Sequence, residues 1–356
     1  MDDDAIVVSG IGLRSSLGGA IPAAAAFRCG MSSGQELPEW SYFDEEEHEE
    51  HFLRGHPAMG VAPGFQGIAR FLKLGLMALE DLGGAIDLAK LNPARIGVIL
   101  VLPASSAELE RAPGELLNRL CKLGRLEVDP RNTRTVLDGR IGVVNAIREA
   151  RQRLQSNQID HCLVGAIDSL LIGARMAELI ETEKIKTVDN PVGIVPGEAA
   201  CFLLIERMGW AKRRGGTIGA VMQTPSVSAS PDPEETGPDQ QAPGKALSEV
   251  MLQALSNVGG APMTRGTLYA DLNGTTPRAV DFGNALVYLA PVYPLDGWTR
   301  AFPADSFGET GAASAALAIC MAVRTFVRGY SEMNQALIII SSVSGGKAAL
   351  GLRRVS

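Results

Sequence analysis

Apolar residues along this chain follow two spacings. Ala5 to Ser9 and Ile96 to Leu102, the latter broken only by Gly97, are short continuous apolar runs of the kind that forms strands buried on both faces. Ile68 to Leu82 places Leu72, Leu76 and Leu79 at helical spacing and predicts a core helix. After the loop punctuated by Gly10, Gly12 and Gly18, Ile21 to Arg28 predicts another helix. Strand and helix patterns alternate from Ile96 to Asp168 and break at Arg213-Arg214-Gly215-Gly216, and a new strand is predicted from Thr217. The alternation then resumes, with strands at Thr267 to Leu272 and Ala336 to Ser342 and helices at Arg278 to Leu289 and Gly308 to Val327. This pattern predicts an α/β layered fold in two similar halves, residues 1–215 and 216–356. Glu36 to His56, polar and acidic, reads as a surface excursion, and Pro225 to Pro243 as a surface loop.

Composition narrows the function classes. A chain of 356 residues, 46% apolar, can bury a large core and is long for one simple domain. Its 40 acidic against 33 basic residues give a formal charge of −7, so no nucleic-acid or anionic-lipid partner is expected. The opening Met1-Asp2-Asp3-Asp4 lacks the basic region of a signal peptide, and no apolar run approaches the ~20 residues that span a bilayer. No membrane insertion and a cytoplasmic location are therefore expected. The five cysteines, Cys29, Cys121, Cys162, Cys201 and Cys320, lack the spacing of a disulfide framework or zinc site. His48-Glu49-Glu50-His51, with His56 nearby, does not set two imidazoles on one helical face and reads as a solvated acidic surface. Gly10-Ile11-Gly12 lacks the third glycine and acidic ribose ligand of a dinucleotide fingerprint. No metal and no cofactor are expected.

Several segments carry site chemistry in a recognisable order. Leu163-Val164-Gly165-Ala166-Ile167-Asp168-Ser169 and Pro196-Gly197-Glu198-Ala199-Ala200 are followed by Gly308-Glu309-Thr310-Gly311-Ala312-Ala313-Ser314 and Ser342-Val343-Ser344-Gly345-Gly346. Together they resemble the β-ketoacyl synthases of the thiolase superfamily, including the family's Pro-Gly-Glu-Gly-Ala strand, Gly-His-Thr-Gly-Ala-Ala-Ser loop and glycine-rich closing loop. The resemblance implies two pseudo-equivalent α/β halves in five layers, helices–sheet–helices–sheet–helices. It also implies a Cys nucleophile at a helix N-terminus and two histidines, or His and Asn, polarising a thioester.

Carried over residue by residue, every functional position is changed. Spacing back from Gly165 puts the nucleophile position at Arg140, whose guanidinium stays protonated and cannot accept an acyl group. Leu272-Asn273-Gly274-Thr275-Thr276-Pro277 resembles the family's His-Gly-Thr-Gly-Thr-Pro, so the first His falls on Leu272 or, with a one-residue shift, on Asn273. The second His is Glu309, the Lys before it is Ala304, and the gating Phe of the closing loop is Ser344. A protein without catalytic activity is expected, with Arg140 and Glu309 either drifted or paired across the former acyl pocket. The opening Gly10 to Gly18 and the Ala-rich helix ending Phe27-Arg28-Cys29-Gly30-Met31 also resemble thiolase-like proteins of type VI secretion effector clusters. That implies an adaptor, chaperone or scaffold with a secretion effector or spike component as partner. The alternative is a chain-length-factor-like partner of a ketosynthase with an open acyl channel, and a third reading relocates the chemistry to Glu309 as base or Cys121 as nucleophile. The resemblance to ketosynthases further implies a homodimer paired through the strand at roughly Arg134 to Leu137.

Overall fold

The computed structural model describes residues 2–44, 48–104, 107–228, 243–256, 263–342 and 344–355. Its first half contains β1 (Ile6–Arg14), α1 (Ala20–Arg28), β2 (Gln35–Asp44), β3 (Glu49–Gly55), α2 (Gly67–Gly83), β4 (Ile96–Val101), α3 (Ala107–Arg111) and α4 (Pro113–Leu123). It continues through β5 (Thr133–Val136), α5 (Gly142–Gln155), β6 (His161–Ser169), α6 (Gly173–Glu181), β7 (Glu198–Arg207) and α7 (Met208–Arg213). Then come β8 (Ala220–Met222), β9 (Ser226–Val227), α8 (Lys245–Ser256), β10 (Thr267–Ala270), α9 (Thr276–Leu289) and β11 (Thr299–Ala301). The chain closes with α10 (Ala304–Phe307), α11 (Ser314–Arg328), β12 (Gln335–Ser341) and β13 (Lys347–Arg353).

Strand order shows the internal repetition. The run β5-β4-β6-β7-β1 is matched by β11-β10-β12-β13-β8. In each run the first three strands are parallel and the last two antiparallel to their neighbours. A short antiparallel contact, Val7 with Val221 and Val8 with Ala220, joins the two runs into one hydrogen-bonded sheet, of eleven strands among the described residues.

Alternating side chains sort the strands into layers. On β7, Ala199, Cys201, Leu203 and Ile205 face a central core shared with α1, α5 and α11, while Ala200, Phe202 and Leu204 face an outer core built with α2 and α4. On β12, Ala336, Ile338 and Ile340 face the same central core, and Leu337 and Ile339 face α8 and α9. The result is five layers, with α5 and α11 sandwiched between the two runs of strands. Alanines at 312, 313, 315, 316, 318 and 322 let the strands approach α11 closely.

Two sequence expectations change. The helix expected from Gly308 begins only at Ser314. Gly308 (φ 69°) and Gly311 (φ 52°) are left-handed, and the intervening backbone forms a loop and a 3-10 turn over Gly311–Ala313. Gly311–Arg328 is nevertheless long and apolar enough to cross a membrane, contrary to the reading that no run comes close, and 72% of it is buried inside the protein. Glu36 to His56 lies largely on the surface, as expected, but its described residues are ordered. It contains the β2–β3 hairpin, whose Leu37 and Leu53 pack on Leu171, Met176 and Ile185. Of the loop expected at Pro225 to Pro243, residues 229–242 lie outside the described residues.

Candidate functional site

A tight turn presents Arg140 to the central layer. Gly139 (φ 58°) opens a 3-10 turn, Gly139–Ile141, that runs directly into α5, and Arg140 is buried there. A helix N-terminus favours anions, so a guanidinium buried at this place requires carboxylates nearby. Glu309 supplies one. The loop carrying it is fastened to the other half of the fold: Glu309 N–H donates to the Val195 carbonyl (2.8 Å) and Gly197 N–H donates to the Glu309 carbonyl (3.0 Å). A Cβ on Gly197 would lie 2.2 Å from the Phe307 carbonyl oxygen, so only glycine permits this approach.

The Arg140 fork meets the Glu309 carboxylate with both terminal nitrogens, Nη1 on Oε1 and Nη2 on Oε2, the latter at 2.7 Å. Arg140 Nε donates to the Ser341 carbonyl at 3.1 Å. Glu309 Oε1 also accepts from Gly311 N–H (2.7 Å), and Oε2 from Asn273 Nδ2 (2.7 Å) and Arg278 Nη1 (3.3 Å). Asp271, at the end of β10, completes the cluster at 3.5 Å from both Arg140 and Arg278 and accepts from Ser341 N–H at 2.8 Å. Two guanidiniums thus face two carboxylates, and the buried charges cancel. Burial pushes the Asp271 carboxyl up to about 6, against the opposing pull of Arg140.

The cavity left among Arg140, Tyr269, Asp271, Ala304, Glu309 and Thr310 measures about 20 Å³, room for the centre of a single water. A pantetheine-linked acyl chain does not fit in it. Glu309 is saturated with donors, so taking up a proton as a base would break charge-assisted hydrogen bonds. Cys121 lies on α4 in the outer layer, and burial raises its thiol pKa, so thiolate is scarce there.

Of the residues singled out from sequence, Arg140, Asn273 and Glu309 converge and Ala304 lines the cavity. Leu272 packs instead against the α8–α9 core, and Ser344 is exposed, its hydroxyl 2.9 Å from that of Ser342. Asp271 and Arg278 were missed. A basic residue in the first turn of α9, directly after Pro277, is out of place against the helix dipole and is the signal that could have marked Arg278.

Two further polar clusters brace the site. Glu198 accepts from Arg70 Nε (2.5 Å) and Nη2 (2.7 Å), Ala58 N–H (2.7 Å) and the Ser169 hydroxyl (2.6 Å). Asp168, its pKa raised by burial, accepts from Ala312 N–H at 2.8 Å and so ties the end of β6 to the turn before α11. His56, expected on a solvated surface, is buried. Its ring packs on Gly34 and Gly308, and a Cβ on Gly308 would lie 2.7 Å from His56 Cδ2. Among the described residues no cluster of His, Cys, Asp or Glu has the form of a metal site.

No family model and no curated protein matches the sequence. Solved structures do match in shape. The type II polyketide synthase complex AntDE:AntF, a ketosynthase with its acyl-carrier protein bound to a hexaketide, superposes with a TM-score of 0.80 at 15% identity, covering 99% of this chain and 100% of that one. The ishigamide ketosynthase/chain length factor gives 0.76 at 17%, and a β-ketoacyl synthase from Burkholderia phymatum STM815 gives 0.72 at 18%, each covering 99% of this chain and 100% of its own. At such identities the likeness establishes architecture and leaves activity to the site: the chain has the mixed α/β, thiolase-like fold of the ketosynthases.

Proposed function

We propose that this protein is a non-catalytic ketosynthase-like scaffold, working as an adaptor or chaperone for a protein partner. The observation that carries the reading is the filled pocket. Arg140, Glu309, Asp271, Arg278 and Asn273 occupy the convergence point of the central layer and leave about 20 Å³. A guanidinium at the helix N-terminus offers no nucleophile for a thioester, and the carboxylate beside it is held by that guanidinium. Incubation with radiolabelled malonyl or acyl thioesters is expected to give neither covalent acyl-protein nor condensation product. Acyl transfer that disappears in Glu309→Gln would overturn the reading and assign Glu309 a catalytic role.

A secretion effector or spike component is the partner class we assign, on the resemblance of the opening segment to the thiolase-like proteins of type VI secretion clusters. The likeness in shape to the ishigamide ketosynthase/chain length factor supports a second reading, a non-catalytic partner subunit of a ketosynthase. That role calls for an open acyl channel, which a 20 Å³ cavity does not provide. Affinity capture from native cells separates the two: recovery of a secretion effector supports the first, and recovery of a ketosynthase with an acyl carrier protein the second.

Self-association belongs to the same proposal. β5 ends the sheet and pairs only with β4 among the described residues, leaving its other edge for a second copy. Light scattering at micromolar concentration is expected to give twice the 37.6 kDa chain mass, and a stable monomer would remove the dimer.

A further inference from the structure

We propose that the outer face of the β2–β3 hairpin docks a basic protein segment that also carries apolar side chains. Residues 36–50 hold eight acidic residues and no lysine or arginine. Taking these eight from the 40 acidic residues leaves 32 against 33 basic in the rest of the chain, so the entire negative excess of the protein falls in this stretch of sequence. Folding does not ask for such a concentration. The ladder even sets Asp44 opposite Glu49, and like charges across a strand pair are destabilising.

The same face exposes two aromatic rings. Ser41 pairs with Phe52 and Phe43 with Glu50, which places Phe43 and Phe52 diagonally on one side of the hairpin, 61% and 47% exposed. The other side already supplies what the fold uses, through Leu37 and Leu53. Glu50 shares the face of the two rings, Glu36 and Glu39 are exposed along β2, and Arg54, opposite Glu36, is the one basic residue of the hairpin. An exposed apolar pair on a hairpin with a large acidic excess complements a segment alternating apolar with Lys or Arg side chains, and its field repels nucleic acid and anionic lipid. This surface lies outside the filled pocket, so the inference stands whether or not the protein transfers acyl groups.

Fluorescence anisotropy with a labelled alternating Lys-Leu dodecapeptide tests it on the full chain. Binding is expected to weaken about tenfold on raising salt from about 50 to about 300 mM, and a Lys-Ser dodecapeptide is expected to bind about tenfold more weakly. The F43S/F52S variant should lose about tenfold in affinity for the Lys-Leu peptide. Absence of Lys-Leu binding, equal binding of both peptides, or full affinity in a folded F43S/F52S protein overturns the proposal. Should that variant fail to fold, E36Q/E39Q/E50Q, altered only at exposed glutamates, decides: a loss of affinity supports the proposal and unchanged affinity overturns it.

Discussion

Replacing Arg140 or Glu309 alone is expected to destabilise the protein by roughly 3–5 kcal/mol, whereas replacing both with apolar residues of similar volume should cost far less than the sum. The reason lies in the charge count of the buried cluster. R140M leaves Glu309 and Asp271 facing Arg278 alone, and E309L leaves two guanidiniums facing Asp271. Each single change strands a charge away from water. R140M/E309L leaves Arg278 with Asp271, one of each sign. Urea unfolding of the two single variants and the double variant closes the cycle. Additive losses would show that the two side chains sit in independent environments, and losses under about 1 kcal/mol would place them in solvent.

His56 is expected to make the fold acid-labile. Burial, with Arg54 nearby, holds its pKa down to about 4 from an ordinary 6.5, against the opposing effect of a hydrogen bond with the Ser306 backbone. Nδ1 has no partner among the described residues, so the ring has no ready acceptor for a second proton. Below pH 6.5 the unfolded chain binds a proton that the folded chain refuses. Stability is therefore fully present above pH 6.5 and falls as pH drops toward 4, by roughly 3 kcal/mol in total. Asp271 acts in the opposite sense. Its raised pKa makes its contribution fullest below 3.8 and removes it as pH rises through about 6. The two partly offset each other between pH 4 and 6, so the readout is the difference between wild type and His56→Phe across that range. The variant should lose the acid-dependent fall assigned to His56. Parallel stability curves for the two proteins would mean that His56 is solvated or already protonated in the fold.

The sequence by itself determined the buried strands at Ile6, Ile96, Thr267 and Ala336 and the helices at Ala20, Gly67 and Thr276, because burial on one or both faces writes its period directly into the chain. β4 and β7 are continuous apolar runs for the plain reason that opposite faces of each pack into different cores. The same logic misread Gly308 to Ala313: it is buried between two runs of strands with small residues around Glu309, and its left-handed glycines decide that it is a loop. His56 was misread as well. The acidic stretch before it, Glu49 and Glu50 with His51, set the reading, but the hairpin folds back so that two side-chain-less positions, Gly34 and Gly308, make room for its ring. For the site, resemblance to a known loop order singled out Arg140, Asn273 and Glu309, and composition said nothing of how they meet. Only the tertiary structure decided that Arg140, 169 residues from Glu309, is met by both carboxylate oxygens. It likewise decided that Asn273 rather than Leu272 reaches the cluster, and that Asp271 and Arg278 balance its charge. A buried charge is tolerated only where the surrounding fold brings its opposite within a few ångströms, and that distance is set by the packing of α5, α9 and α11 against the ends of the strands, a property of the assembled layers that no local segment contains.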